Sequence, residues 1–251
     1  MTGAARMNID YDRVSESYDV HRTGAGPYLD VLVEIAAASG SQVVLEAGAG
    51  TGSVAAAFER RHPCRMLALD RSKGMCRRNR VKHPHLPIVI ADACTLPMRD
   101  ASVDMIYSVF MLHHLSDLTP FFSECTRVLR RGALAVVTSP YSFLESHPMN
   151  HYFPSFARVD KARFQSEESV HAAFSAAGFQ RLKGIIVKSE PCPIDKAYVN
   201  KVADKFISTY ALLPAGEFER GLADLRRDVE ARGCLEPLLE WEALVVWGVR
   251  P

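Results

Sequence analysis

Between Val43 and Phe58 the chain changes character twice. An apolar run, Val43-Val44-Leu45, meets an acid at Glu46 and then breaks into Gly48, Gly50 and Gly52, spaced by small residues. Ser53-Val54-Ala55-Ala56-Ala57-Phe58 restores an apolar, helix-compatible pattern. This order describes a buried strand feeding a tight loop that opens a helix. Glycine is needed where backbone takes positive φ or comes within contact distance of a ligand. A helix start offers unpaired N–H groups at the positive end of its dipole, which suits a carboxylate or phosphate. The loop therefore predicts a small ligand that is at least partly anionic. Ser53 occupies the place where a dinucleotide fingerprint, G-x-G-x-x-G, would set its last glycine. No Gly-Lys-Ser or Gly-Lys-Thr follows, which argues more firmly against a nucleoside triphosphate loop.

Two further strand ends carry acids. Arg65-Met66-Leu67-Ala68-Leu69-Asp70 closes on an acid 24 positions after Glu46. A carboxylate at the tip of a second strand is placed to accept both ribose hydroxyls of an adenosine. Pro87-Ile88-Val89-Ile90-Ala91-Asp92-Ala93 repeats the pattern, and Asp92 suits an acceptor for an adenine amine. Taken alone, such an acid is more often a cap. Strands are predicted near 42–46, 65–70, 87–91, 103–108 and 133–139, and helices near 53–61, 72–82 and 118–130. The alternation predicts an α/β fold, a doubly wound parallel sheet with right-handed crossovers and ligands at the carboxyl ends of its strands.

With these residues in place, the chain resembles the class I S-adenosylmethionine-dependent methyltransferases, in the small-molecule branch known as methyltransferase type 11. Glu46-Ala47-Gly48-Ala49-Gly50-Thr51-Gly52 is similar to the first family motif and Ala68-Leu69-Asp70 to the second. The stretch 91–115, with Leu96-Pro97 and His113-His114-Leu115, resembles the region of the third and fourth strands. Arg127-Val128-Leu129-Arg130-Arg131-Gly132 resembles the turn before the fifth. The resemblance implies a mostly parallel, seven-stranded Rossmann-like sheet with an antiparallel last strand and a helical lid. It implies S-adenosyl-L-methionine as cofactor and S-adenosyl-L-homocysteine as product. Glu46, Gly48, Ala49, Gly50 and Gly52 would bind the cofactor. Gly48 and Gly50 would let backbone approach the methionine portion, Thr51 and Gly52 would present N–H groups at the helix start, and Asp70 would hold the ribose. Arg71 and Met75 would flank the adenine, Asp92 and Ala93 would read its edge, and Ser108, Val109 and Phe110 would pass beneath the sulfonium.

The arm Tyr11-Asp12-Arg13-Val14-Ser15-Glu16-Ser17-Tyr18-Asp19 is similar to the family's Y-D-x-x-A-x-x-Y-D segment, although Ser15 and Ser17 depart from its small apolar positions. Residues 1–39 are expected to form a helical arm over the cofactor, with Tyr18 facing the sulfonium and Arg22 pairing with the methionine carboxylate. Residues 40–251 would form the cofactor-binding domain.

Composition excludes several alternatives. Thirty Lys and Arg against 29 Asp and Glu leave no global field for nucleic acid or an acidic membrane. The basic run Arg77-Arg78-Asn79-Arg80-Val81-Lys82 reads as a solvated helix face. Six scattered cysteines without a C-x-x-C pair argue against a metal site or disulfide framework and suit a reducing cytoplasm. Neither a membrane span nor a signal peptide is expected.

Beyond Pro140 the pattern loosens. Residues 141–163 are irregular and aromatic, 166–177 read as a helix, strands are expected over 181–188 and 241–249, and 195–232 read as helical. Segments 141–165 and 193–235 are expected to cover the substrate, with Tyr141, His147, His151 and Tyr152 as an aromatic wall for a small acceptor. His113 is preferred over His114 as a general base or orienting group, one of the pair facing the pocket. The expected function is O- or N-methylation of a small molecule. Alternatives are methylation of tRNA or other RNA, a quinone-type C-methylation, a thiol or metalloid acceptor using Cys192 and Cys234, and an inactive cofactor-binding module.

Overall fold

The computed structural model describes residues 11–14, 19 and 26–251. In chain order its elements are α1 (Tyr11–Val14), α2 (Tyr28–Ser39), β1 (Val43–Ala47), α3 (Ser53–Arg61), β2 (Arg65–Asp70), α4 (Lys73–Lys82), β3 (Ile88–Ile90), β4 (Val103–Val109), α5 (Thr119–Val128) and β5 (Leu129–Thr138). They continue with α6 (Tyr141–Ser146), α7 (Phe156–Lys161), α8 (Glu167–Ala176), β6 (Gln180–Lys188), β7 (Cys192–Asp195), α9 (Lys196–Ala203), α10 (Ser208–Leu212), α11 (Ala215–Arg232), β8 (Cys234–Leu239) and β9 (Glu242–Val249). The chain divides into two compact units. A sheet unit comprises Tyr11–Pro140, Phe164–Ser189 and Glu242–Pro251, and an insert unit includes Tyr141–Arg163 and Glu190–Trp241.

The sheet unit is built on seven strands in the order β3-β2-β1-β4-β5-β9-β6. β3, β2, β1, β4 and β5 run parallel, while β9 is antiparallel to both β5 and β6. Order reverses between β1 and β4, the switch point where a crevice opens beyond the strand ends. The apolar runs are nearly continuous because both faces are covered. Strand alternation sends Val44 and Met105 into one core with Leu32 and Phe58, and Leu45 and Ile106 into the other with Phe121 and Phe174. The fold class is the one expected.

One boundary differs. Helix α5 ends at Val128, and β5 begins at Leu129, four residues before the predicted strand. Leu129 pairs with Val103, and the register then shifts before Ala133 meets Met105. Asp104 holds this irregularity, accepting from the Gln42 and Val43 N–H groups and from Arg130.

The insert unit is not wholly helical. β7 and β8 form a separate antiparallel ribbon that periodicity did not reveal. Its register sets Cys192 opposite Leu239 and Cys234 opposite Asp195, so the two cysteines lie at opposite ends and both are free. The expectation that they could meet is thereby corrected. Phe218, Leu225 and Val229 of α11 enter a core with Phe153, Tyr198 and Tyr210. Gly221 permits this packing, since a Cβ there would lie 2.4 Å from the Tyr152 carbonyl oxygen.

Candidate functional site

The glycine loop between β1 and α3 takes the conformation its composition demands. Gly48, Gly50 and Gly52 all have positive φ, at 79°, 54° and 80°. Each is positive for a different neighbourhood. A Cβ on Gly48 would strike Met111, one on Gly52 would strike Asn79, and one on Gly50 would meet nothing within 4 Å. The middle of the loop thus presents bare backbone to open space. Leu69 carbonyl oxygen accepts from the Gly48 and Ala49 N–H groups, tying the loop to the end of β2. Asp70 completes that tie: its two oxygens accept from the N–H groups of Gly50 and Ser72, both at 2.8 Å. Burial pushes the Asp70 carboxyl upward, opposed by these two N–H groups and by Arg71.

The three acids are not equivalent. Glu46 is 1% exposed and accepts a hydrogen bond from Tyr107. Burial raises its carboxyl well above the usual range, so the side chain has a partner within the core. Asp92 is exposed and accepts from the Cys94 N–H, the bland turn role that an isolated acid there suggests. Ala93 and Met75 are buried, while Arg71 is exposed. Past β4, Ser108 is fully buried with no partner for its hydroxyl among the described residues. Val109 is half-buried, and Phe110 has a φ of 48°, a left-handed conformation that costs a β-carbon residue energy.

The paired histidines separate by role. His113 is buried, its ring stacked on Phe164 at 4.3 Å, whereas His114 is half-buried and its Nε2 lies 3.1 Å from the Tyr11 hydroxyl. Geometry therefore favours His114 over the preferred His113 as the group able to exchange a proton. Tyr11 belongs to a strap whose acids were missed. Asp12 accepts from the Ser72 hydroxyl and Gly74 N–H at the start of α4, and Asp19 accepts from Thr51 and Lys82. The repeated Tyr-Asp pair at 11–12 and 18–19 was the available signal. Tyr18 and Arg22 lie outside the described residues.

Of the proposed aromatic wall, only His147 is fully buried, while Tyr152 packs half-buried against the core of the insert unit. Tyr141 donates to the Lys161 carbonyl oxygen, Tyr152 donates to Asp228, and His151 is exposed beside Tyr152. His147 is 2% exposed and contacts Phe143, Phe156 and Trp241. Its neighbours come from segments far apart in sequence, so no local pattern announced them.

Residues 45–137 match the family model described as a methyltransferase domain. That stretch is similar to the class I S-adenosylmethionine-dependent methyltransferases. It is 34% identical over 132 residues to a malonyl-[acyl-carrier protein] O-methyltransferase of Xylella fastidiosa, an alignment covering 49% of this chain and 44% of that protein. The chain thus spans less than half the length of that relative. A probable S-adenosylmethionine-dependent methyltransferase of Mycolicibacterium smegmatis is 28% identical, covering 69% of this chain and 75% of its own. Among solved structures, an Anabaena variabilis protein whose name assigns it to methyl transfer in antibiotic biosynthesis superposes with a TM-score of 0.73 at 21% identity, over 88% of this chain and 96% of that one.

Residues at the glycine loop and the end of β2 fit S-adenosylmethionine as a cofactor. Each Asp70 oxygen takes one N–H and retains lone-pair capacity for a ribose hydroxyl. The bare Gly50 backbone and the partnerless Ser108 hydroxyl are what a ligand-facing loop and strand end would leave. Among the described residues no His, Cys, Asp and Glu group could hold a metal ion, and no helix is long and apolar enough to cross a membrane.

Proposed function

We propose that this methyltransferase transfers the S-adenosylmethionine methyl group to an oxygen or nitrogen of a small-molecule acceptor. The observation that carries this reading is the closure of the three-glycine loop onto Asp70 through the Gly50 N–H. The sheet unit binds the cofactor, and the insert unit recognises the acceptor. Methyl transfer from a sulfonium is an in-line displacement in which the acceptor lone pair forms the new bond as the carbon–sulfur bond breaks. The protein's tasks are to align the two and to exclude water. Where the acceptor enters protonated, a base must take its proton.

Tyr11 and His114 supply that base as a relay: the Tyr11 oxygen takes the acceptor's proton as its own hydroxyl proton passes to His114 Nε2 across their 3.1 Å hydrogen bond. The name of the Xylella relative supports O-methylation over N-methylation. Balanced charge, 30 basic against 29 acidic residues, weighs against an RNA acceptor.

Calorimetry with S-adenosylhomocysteine, paired with a labelled-methyl screen over small acids, phenols, amines, thiols and bulk tRNA, tests the reading. Binding followed by label on a phenol, acid or amine supports it. Tight binding with no labelled product favours an inactive module, and absence of binding removes the cofactor assignment. Tyr11→Phe and His114→Ala should retain S-adenosylhomocysteine binding while turnover falls by about a hundredfold, the usual range for a lost general base.

A further inference from the structure

Asp70 does not hold the glycine loop alone. Its Oδ2 accepts from the Gly50 N–H and its Oδ1 from the Ser72 N–H, so the loop after β1 and the turn after β2 meet at one carboxylate. Each of those turns is held in addition by an acid of the strap. Asp12 Oδ1 accepts from the Ser72 hydroxyl at 2.6 Å and from the Gly74 N–H at 2.7 Å. Asp19 Oδ1 accepts from the hydroxyl of Thr51, the residue after Gly50, at 2.7 Å, and Asp19 Oδ2 accepts from Lys82 Nζ at 2.8 Å. A continuous tie thus runs from Asp12 through Ser72, Asp70, Gly50 and Thr51 to Asp19, all within the sheet unit.

These contacts also build the two helix starts that flank Asp70. The Ser72 hydroxyl that donates to Asp12 accepts from the Met75 N–H at 3.1 Å, which is the N-cap of α4. Committing its one proton to Asp12 leaves its lone pairs for that N–H. The Ser72 hydroxyl and the Gly74 N–H hold the Asp12 carboxyl below its ordinary range, which keeps it an acceptor. Helix α3 begins at Gly52 without a side-chain cap, and Asp19 brings negative charge beside that start through Thr51. Lys82 steadies it and also donates to the Ser53 hydroxyl at 3.2 Å.

An acid that only capped its own turn would bond within a few residues, whereas Ser72 lies 60 positions from Asp12 and Thr51 lies 32 from Asp19. A pair standing in open solvent would contribute little, but the Asp19 side chain is 15% exposed and Thr51 is 3% exposed.

We propose that Asp12 and Asp19 are positioning residues of the cofactor site: they fix the two turns whose N–H groups aim Asp70, and so set the rate at which bound cofactor leaves. The proposal rests on the reading that Asp70 holds the cofactor ribose. Coupling of this kind is reciprocal, so a ligand on Asp70 tightens the strap and loss of a strap contact loosens the ligand. The effect falls on dissociation, as most changes in affinity within one interface do.

The test uses the full chain and S-adenosylhomocysteine. Binding rates come from surface plasmon resonance, and amide exchange is measured on the ligand-free protein. Asp12→Asn, Asp19→Asn and Lys82→Met should each raise the dissociation rate by about fivefold or more, the low end of coupling between sites. Association should change by less than about twofold. Asp12→Glu and Asp19→Glu keep a carboxylate and should lie closer to the parent than the Asn variants do. In the ligand-free protein, residues 49–53 and 72–75 should exchange faster in the Asn variants, while 133–138 of β5 keep the parent rate, which a general loss of stability would not allow. Unchanged dissociation in all three variants, or faster exchange that spreads equally to β5, overturns the proposal. Where an Asn variant does not fold, Lys82→Met carries the comparison, at a side chain 34% exposed. A parent protein that binds no S-adenosylhomocysteine removes the cofactor reading and this proposal with it. Binding by the parent with rates that no substitution moves sinks this proposal alone.

Discussion

Asp70 and Gly52 show how much a single residue can decide here. The Asp70 carboxylate braces the loop through the Gly50 and Ser72 N–H groups, and the proposed function gives it a ribose to accept from as well. Asp70→Ala should therefore weaken S-adenosylhomocysteine binding by at least about tenfold, the scale of a hydrogen bond to a charged group, in a calorimetric titration. Unchanged affinity would remove Asp70 from the cofactor site. Gly52 has a φ of 80°, and a Cβ there would lie 2.2 Å from Asn79 Nδ2. Gly52→Ala should cost about 1–3 kcal/mol in denaturant unfolding, combining left-handed strain with the displaced amide. An Asn79→Ala partner substitution should recover the steric part and leave the strain. At this scale the glycines and Asp70 were readable because backbone conformation and strand-end placement are local properties. The preference for His113 was not, because only tertiary packing stacks that ring on Phe164 and gives His114 to Tyr11.

Among the elements, α2 and the insert helices respond to different stresses. Leu32 of α2 is fully buried in the core with Phe58 and Val44, so Leu32→Ala should destabilise the protein by about 2–5 kcal/mol. In the insert unit two titrating groups act in opposite directions. His147 has its folded value lowered by burial to about 3, below the ordinary 6.5. The unfolded chain takes up that proton first, so this contribution to stability is complete above pH 6.5 and is lost progressively as pH falls toward 3. Asp160, buried beneath Thr209 and Arg163, is raised by burial from 3.8 to about 6. The folded state holds its proton more tightly, so stability gains as pH falls from 6 through 3.8. His147→Phe should expose the second trend by itself: thermal unfolding between pH 6.5 and 4 should lose its acid sensitivity or reverse it. A variant as acid-labile as the parent would contradict the buried, neutral state of His147. Helices over 195–232 were legible from their apolar spacing, but the β7–β8 ribbon was not, since each strand is short and its pairing is non-local.

For the whole molecule, cofactor binding should appear as a regional event. S-adenosylhomocysteine at a hundred times its dissociation constant should add about 2.7 kcal/mol to the stability of the state that binds it. Hydrogen exchange should slow at 47–53 and 70–75, where the loop and the β2 end meet, and change little over 215–232 of α11. Uniform protection across both units, or none, would contradict a site confined to the sheet unit. The sequence by itself determined the α/β class, the strand–glycine–helix turn and the acid at the end of β2, and the family resemblance these carry implied the methyl donor. Those features depend on neighbours a few residues away and on the repeating strand–helix alternation, so they survive in one dimension. Only the tertiary structure decided which histidine meets Tyr11, that Glu46 is sealed against Tyr107, and that His147, Phe156, Tyr198, Phe206, Tyr210 and Trp241 share one interior. Those side chains lie up to 94 positions apart, from His147 to Trp241, and ring packing across that separation leaves no periodic trace in the chain.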